Sequence, residues 1–154
     1  MKNKKSALDS ALFYLGFRNR TERELKKYLE KKEYDSNEIH EAINRLKELN
    51  YIDDSRFIEN YLISHYKSSI KSRKEIYFKL LNFDLDRELI DLAFDQMDSN
   101  IEFENAVRFL EKQIHLNENG DSDELREKIK QKAMIHGFSY STITKAFNKI
   151  IWKE

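Results

Sequence analysis

A set of seven apolar residues recurs along this chain with a period near fifty, and that recurrence restricts the fold more than any other property. Leu25, Leu29, Tyr34, Ile39, Ala42, Ile43 and Leu46 return as Ile76, Leu80, Leu85, Ile90, Ala93, Phe94 and Met97. A third copy runs Leu125, Ile129, Phe138, Ile143, Ala146, Phe147 and Ile150, with four residues added ahead of Phe138. Four residues are close to one helical turn, so the addition lengthens a helix without rotating its buried face. Repetition of this kind predicts a tandem array of one supersecondary unit, each copy too small to be comfortable alone and so packed on its neighbours.

Helix-start chemistry recurs in step. Thr21 with Glu24, Ser72 with Glu75, and Asp121 with Glu124 each place a capping oxygen three residues ahead of a carboxylate, the pattern of a capping box or its Asp variant. In each case the next residue, Leu25, Ile76 or Leu125, opens an apolar stripe. Three such starts in register fix where the second helix of each copy begins.

Apolar residues fall at three- and four-residue spacing, no sustained alternation of period two is found, and the 154 residues hold no Pro and three Gly. The predicted fold class is therefore all-α: three tandem three-helix repeats, at 1–50, 51–98 and 99–154, forming an elongated, curved array. Helices are expected near 6–17, 21–32 and 36–49, then 54–68, 72–82 and 86–97, then 101–116, 121–136 and 139–152. Asp53 or Asp54 caps the fourth, and Gly137 occupies a left-handed helix end.

Several kinds of chemistry find no footing. Cysteine is absent, which excludes disulfides, thiolate nucleophiles and Cys-based zinc sites. The longest apolar run, Ala11 to Phe17, is far short of a membrane span, and a cytoplasmic monomer without membrane contact is expected. Asp53 and Asp54, as successive residues of a helix, point about 100° apart and are poorly placed to share a metal or a proton. His40, His65, His115 and His136 fall at no ligand spacing. No phosphate loop or nucleophile elbow is present. A protein that is not an enzyme, with no cofactor and no metal, is expected.

Net charge is zero but the charges are segregated. Residues 1–32 carry ten Lys or Arg against four acids, 33–62 three against eight, 63–83 five against one, and 84–105 one against eight. Local field rather than total charge governs an encounter with a partner. The basic bands centre on the second helix of each copy, and the residues best placed for contact are Arg18, Arg20, Arg23 and Lys27, then Lys71, Arg73 and Lys74, then Lys128 and Lys132. Lys-rich helix faces also serve solubility alone. A helix-turn-helix that reads DNA is less well supported, since the third helices of the first two copies expose Glu38, Glu41 and Glu48 or Glu88, Asp91 and Asp95, which phosphates would repel.

Ala11, Leu12, Arg20, Thr21, Glu22, Glu24, Leu25, Tyr28 and Leu29, followed by Leu46, Asn50, Tyr51, Ile52, Asp53, Asp54, Phe57, Ile58 and Tyr61, resemble the RecX family of recombination regulators. The carrying motifs are an R-S-x-x-E-L-x-x-x-L turn and a G-Y-[IL]-D-D-x-x-[FY]-[AI] junction. Glu33, Asn50 and Ser69 to Lys71 stand where that family often has Gly. The resemblance implies three tandem three-helix units that lie in the groove of the RecA recombinase filament on single-stranded DNA. There they would inhibit or tune filament growth, ATP hydrolysis and strand exchange. Direct binding of single- or double-stranded DNA through the basic bands is the alternative.

Overall fold

The computed structural model describes residues 5–117 and 122–151. Regular structure in these residues is helical throughout: α1 (Ala7–Leu15), α2 (Glu22–Lys31), α3 (Ser36–Glu48), α4 (Asp54–Tyr61), α5 (Arg73–Leu81), α6 (Arg87–Asp95), α7 (Ile101–Leu116), α8 (Asp123–Ile135) and α9 (Tyr140–Ile151). The all-α repeat fold is as the periodicity implies. One difference lies at α4, which was expected to run to Ser68 but passes after Tyr61 into a π-helical turn, Leu62–Tyr66, and stops at Lys67, whose backbone is extended. A π turn adds a residue to the hydrogen-bonded ring and so rotates the side chains beyond it about the helix axis.

The chain packs as two units. One comprises Met1–Glu59 with Leu80–Ile90, the other Asn60–Lys79 with Asp91–Glu154, so α4, α5 and α6 each pass from one to the other. In the first unit α1, α2 and α3 pack on one another around Ala11, Leu25, Leu29, Tyr34, Ile39, Ile43 and Leu46. Leu25, Leu29 and Leu46 are wholly buried, and full burial of each such side chain contributes about 1.5–3 kcal/mol. In the second unit α7, α8 and α9 do the same around Phe109, Leu110, Ile129, Ala133, Phe138, Ile143 and Phe147.

The third copy departs from the simple register at its start. Ser122, not Asp121, caps α8, its hydroxyl accepting from the Leu125 N–H; Asp121 itself lies outside the described residues, as does Trp152. Ile129 and Ala133 are the buried pair of α8 while Leu125, one turn earlier, is only partly covered. The four added residues have thus extended α8 by a turn at its N-terminus and left the buried face unrotated.

Helix ends obey the local chemistry. Thr21 forms the full capping box: its hydroxyl accepts from the Glu24 N–H and the Glu24 carboxylate accepts from the Thr21 N–H. Ser72 accepts from the Glu75 N–H at 3.1 Å, but the Glu75 carboxylate turns to Lys71 Nζ at 3.3 Å. At the other ends, Glu33 (φ 65°), Asp84 (φ 57°) and Gly137 (φ 99°) take left-handed backbone at corresponding turns. Only the last of these is the glycine that such a φ favours.

Candidate partner-binding site

The N-terminus of each second helix is built the same way in both units. Thr21 is buried, and its Oγ1 donates to the Phe83 carbonyl at 2.6 Å. The Glu22 N–H, at the first position of α2, donates to Asp54 Oδ1 at 3.0 Å. In the second unit Ser72 Oγ donates to the His136 carbonyl at 2.6 Å, and the Arg73 N–H draws down the pKa of the Glu102 carboxyl. Each helix start therefore gives a hydroxyl to a turn carbonyl more than sixty residues away and sets an amide toward a carboxylate from the start of a later helix. Orphan amides at a helix N-terminus find partners in this way.

The adjacent acids divide the labour. Asp53 caps its own helix, Oδ1 accepting from the Arg56 N–H at 3.1 Å, whereas Asp54 reaches to α2. Burial pushes the Asp54 carboxyl above the usual Asp range, the Glu22 N–H draws it back down, and the Glu22 carboxylate raises it further. Burial likewise raises Glu102, opposed by the Arg73 N–H and guanidinium. A carboxyl whose folded pKa lies above its unfolded value binds a proton more readily when folded, so its penalty at neutral pH is relieved as pH falls through the raised pKa. Asp54→Asn keeps the acceptor without the charge. It should match or exceed the natural chain in stability at pH 7, with the difference shrinking toward pH 4. Asp54→Ala, lacking the acceptor, should lose about 1 kcal/mol. Urea unfolding of the three chains at both pH values checks this; equal loss in Asn and Ala at pH 7 would show that the bond from Glu22 does not matter.

The basic residues anticipated from sequence divide between the units and between roles. In the first unit Arg23 pairs with Asp86 and Lys27 with Asp84, the latter at 2.8 Å, with side chains 54% and 62% exposed. Arg18 pairs with Glu24 and lies 5.3 Å over the Phe83 ring. Arg20 is a packing residue: its guanidinium sits 3.9 Å over Tyr14, Tyr14 stacks on Tyr28 at 4.0 Å, and the Arg20 Nε is buried with no hydrogen-bond partner among the described residues. In the second unit Arg73 lies 4.8 Å over Phe94 and pairs with Asp95 at 3.4 Å. Lys71 is half-buried against Glu75, and Lys132 Nζ donates to Gln113 Oε1 at 3.0 Å. Lys74 and Lys128 are exposed. Arg23, Lys27, Lys74 and Lys128 are thus exposed cations, while Arg20 and Arg73 pack over rings of their own unit.

Two features escaped sequence reasoning. Asn105 is completely buried in α7, its amide Nδ2 donating to the Tyr66 carbonyl at 2.8 Å and the Lys71 carbonyl at 2.9 Å. Its spacing of four from Ile101 and from Phe109 puts it on the apolar stripe, the signal by which it could have been found. On the first unit, Phe13 and Phe17 stand 55% and 69% exposed.

Residues 7–46 match the family model described as RecX, first three-helix domain. The chain is 30% identical over 145 residues to the regulatory protein RecX of Bacillus pumilus, covering 94% of this chain and 55% of that protein. It is 34% identical over 132 residues to the regulatory protein RecX of Streptococcus mutans, covering 84% and 50%. The crystal structure of RecX from Lactobacillus salivarius superposes with a TM-score of 0.84 at 26% identity, over 95% of each chain. The chain spans about half the length of the curated relatives it matches.

Proposed function

The chain belongs to the RecX family, and from that footing we propose that it regulates homologous recombination and DNA repair by binding the RecA filament on single-stranded DNA. It occupies the filament groove and inhibits filament growth, ATP hydrolysis and strand exchange. Hydrolysis is the partner's; this chain supplies binding surface, and residues 1–50, 51–98 and 99–154 are taken as its repeats. The observation that carries the proposal is the set of exposed, loosely held cations. Among the described residues Arg23 and Lys27 are tied only to surface carboxylates, and such pairs contribute about 0–1 kcal/mol. A partner presenting its own carboxylates can exchange with Asp86 and Asp84 at little cost, and the neighbouring acids that oppose DNA do not oppose a protein of mixed charge.

The test is DNA-dependent ATP hydrolysis and strand exchange by the cognate recombinase with substoichiometric additions of this protein. Both rates are expected to fall, and unchanged rates at saturating protein remove the proposal. Lys74→Glu with Lys128→Glu should raise the concentration for half-maximal effect about tenfold, equal to about 1.4 kcal/mol. Arg73→Glu is the poorer probe, because Arg73 also braces Phe94, Asp91 and Asp95. Binding carried by phosphate contacts alone would collapse by orders of magnitude between low and moderate salt; a mixed-charge protein interface should weaken far less.

A further inference from the structure

We propose that Leu12, Phe13 and Phe17 form an anchor on the first unit that seats in an apolar recess, rimmed by carboxylates, on a partner protein. The partner is taken to be the recombinase, so this rests on the function proposed above.

Helix α1 buries Ala7, Ser10 and Ala11, and Leu8, Tyr14 and Leu15 lie partly against the same core. That leaves Leu12, Phe13 and, just beyond Gly16, Phe17 at 36%, 55% and 69% exposure. The two phenyl rings touch edge to face at 5.2 Å and 86°, so they make one projecting knob. Exposed apolar clusters with a polar rim mark interaction sites, and large aromatic side chains carry most of the binding energy where they fill a pocket.

The rim indicates what the recess must look like. Lys5 Nζ stands 5.1 Å from the Phe13 centroid; Arg18, directly after Phe17, is taken up by Glu24 and Phe83, and residues 1–32 carry ten basic residues against four acids. Asp9, in the first turn, is the one acid of α1. Cations around an apolar knob call for carboxylates around an apolar recess. A single nucleic-acid strand is the other anionic candidate, but bases stack on open ring faces. Rings crossed at 86° offer no pair of parallel faces, and this geometry favours the protein.

The test is fluorescence anisotropy of the labelled full chain with the cognate recombinase filament assembled on single-stranded DNA, and separately with a bare oligothymidylate. Phe13→Ala with Phe17→Ala should weaken filament binding about thirty-fold, with far-UV circular dichroism unchanged because neither ring is in the core. Lys5→Glu should weaken it several-fold. Phe17→Gln, at the most exposed of the three positions, should also weaken it and serves if the double variant fails to fold. Natural protein that binds while its ring variants bind equally well overturns the anchor and leaves the regulatory function standing. Natural protein that does not bind overturns both. Parallel loss of oligothymidylate binding by the ring variants would assign the patch to nucleic acid and overturn the protein anchor.

Discussion

Replacing Gly137 with alanine should destabilise the chain by about 3 kcal/mol, the sum of two separable effects. The backbone at Gly137 has φ 99°, in the left-handed half of conformational space where a Cβ costs about 1–2 kcal/mol. A Cβ there would also lie 2.5 Å from Ser72 Oγ and 3.1 Å from Lys74 Cβ. Ser72 has no room to retreat. It is wholly buried, accepts from the Glu75 N–H and donates to the His136 carbonyl, and disrupting a buried bond of this kind costs about 1–3 kcal/mol. Thermal unfolding should show a midpoint lower by roughly 10 °C. A double-mutant cycle separates the parts: Ser72→Ala alone removes the hydroxyl that the new methyl would strike. Gly137→Ala should therefore cost less in the Ser72→Ala background than in the natural chain. Additive losses would show that the clash with the Ser72 hydroxyl contributes nothing and that backbone strain and the Lys74 contact set the cost.

The same junction shows what a sequence reveals and what it withholds. The apolar stripe was legible because helix periodicity is a property of neighbours: Leu25, Leu29, Ile76, Leu80 and Ile129 are buried where spacing placed them. Caps at Thr21 and Ser72 were legible for the same reason, since a capping residue and its amide are three positions apart. The second bond each hydroxyl makes was not. Thr21 reaches a carbonyl 62 residues away and Ser72 one 64 away, and a backbone acceptor has no residue identity to recognise. The third start was misplaced by one residue because Asp121 and Ser122 are both good caps and only the run of α8 decides between them. The structural roles of the basic residues were not legible. A basic residue on a helix face reads alike whether it stands exposed, as Lys74 does, or bends over a ring, as Arg20 and Arg73 do.

Asn105→Leu should lower stability by about 2 kcal/mol even though leucine has the same branched outline and a better affinity for the core. After the π-helical turn the chain leaves regular structure, with Ser68 at φ 60°, and the carbonyls of Tyr66 and Lys71 face inward onto the Asn105 amide. Its Oδ1 in turn accepts from Arg108 Nη1 at 3.1 Å. Leucine would strand the Lys71 carbonyl, whereas the Tyr66 carbonyl would keep the Ser69 N–H and hydroxyl as donors; a buried acceptor left unpaired costs about 1–3 kcal/mol, more than the added apolar contact returns. Asn105→Asp is the sharper probe because its shape is unchanged. A carboxylate cannot donate, so burial against the same carbonyls raises its pKa above the unfolded Asp value of about 3.9, outweighing the opposite pull of the Arg108 guanidinium. Its stability relative to the natural chain should therefore be best near pH 4, where the carboxyl still donates one bond. It should fall as pH rises toward the raised folded pKa, by up to about 1.4 kcal/mol per pH unit. Urea unfolding from pH 4 to pH 8 measures the slope. A flat difference between Asp and Asn across that range would mean that water reaches the site and that the amide does not pin the loop before α5.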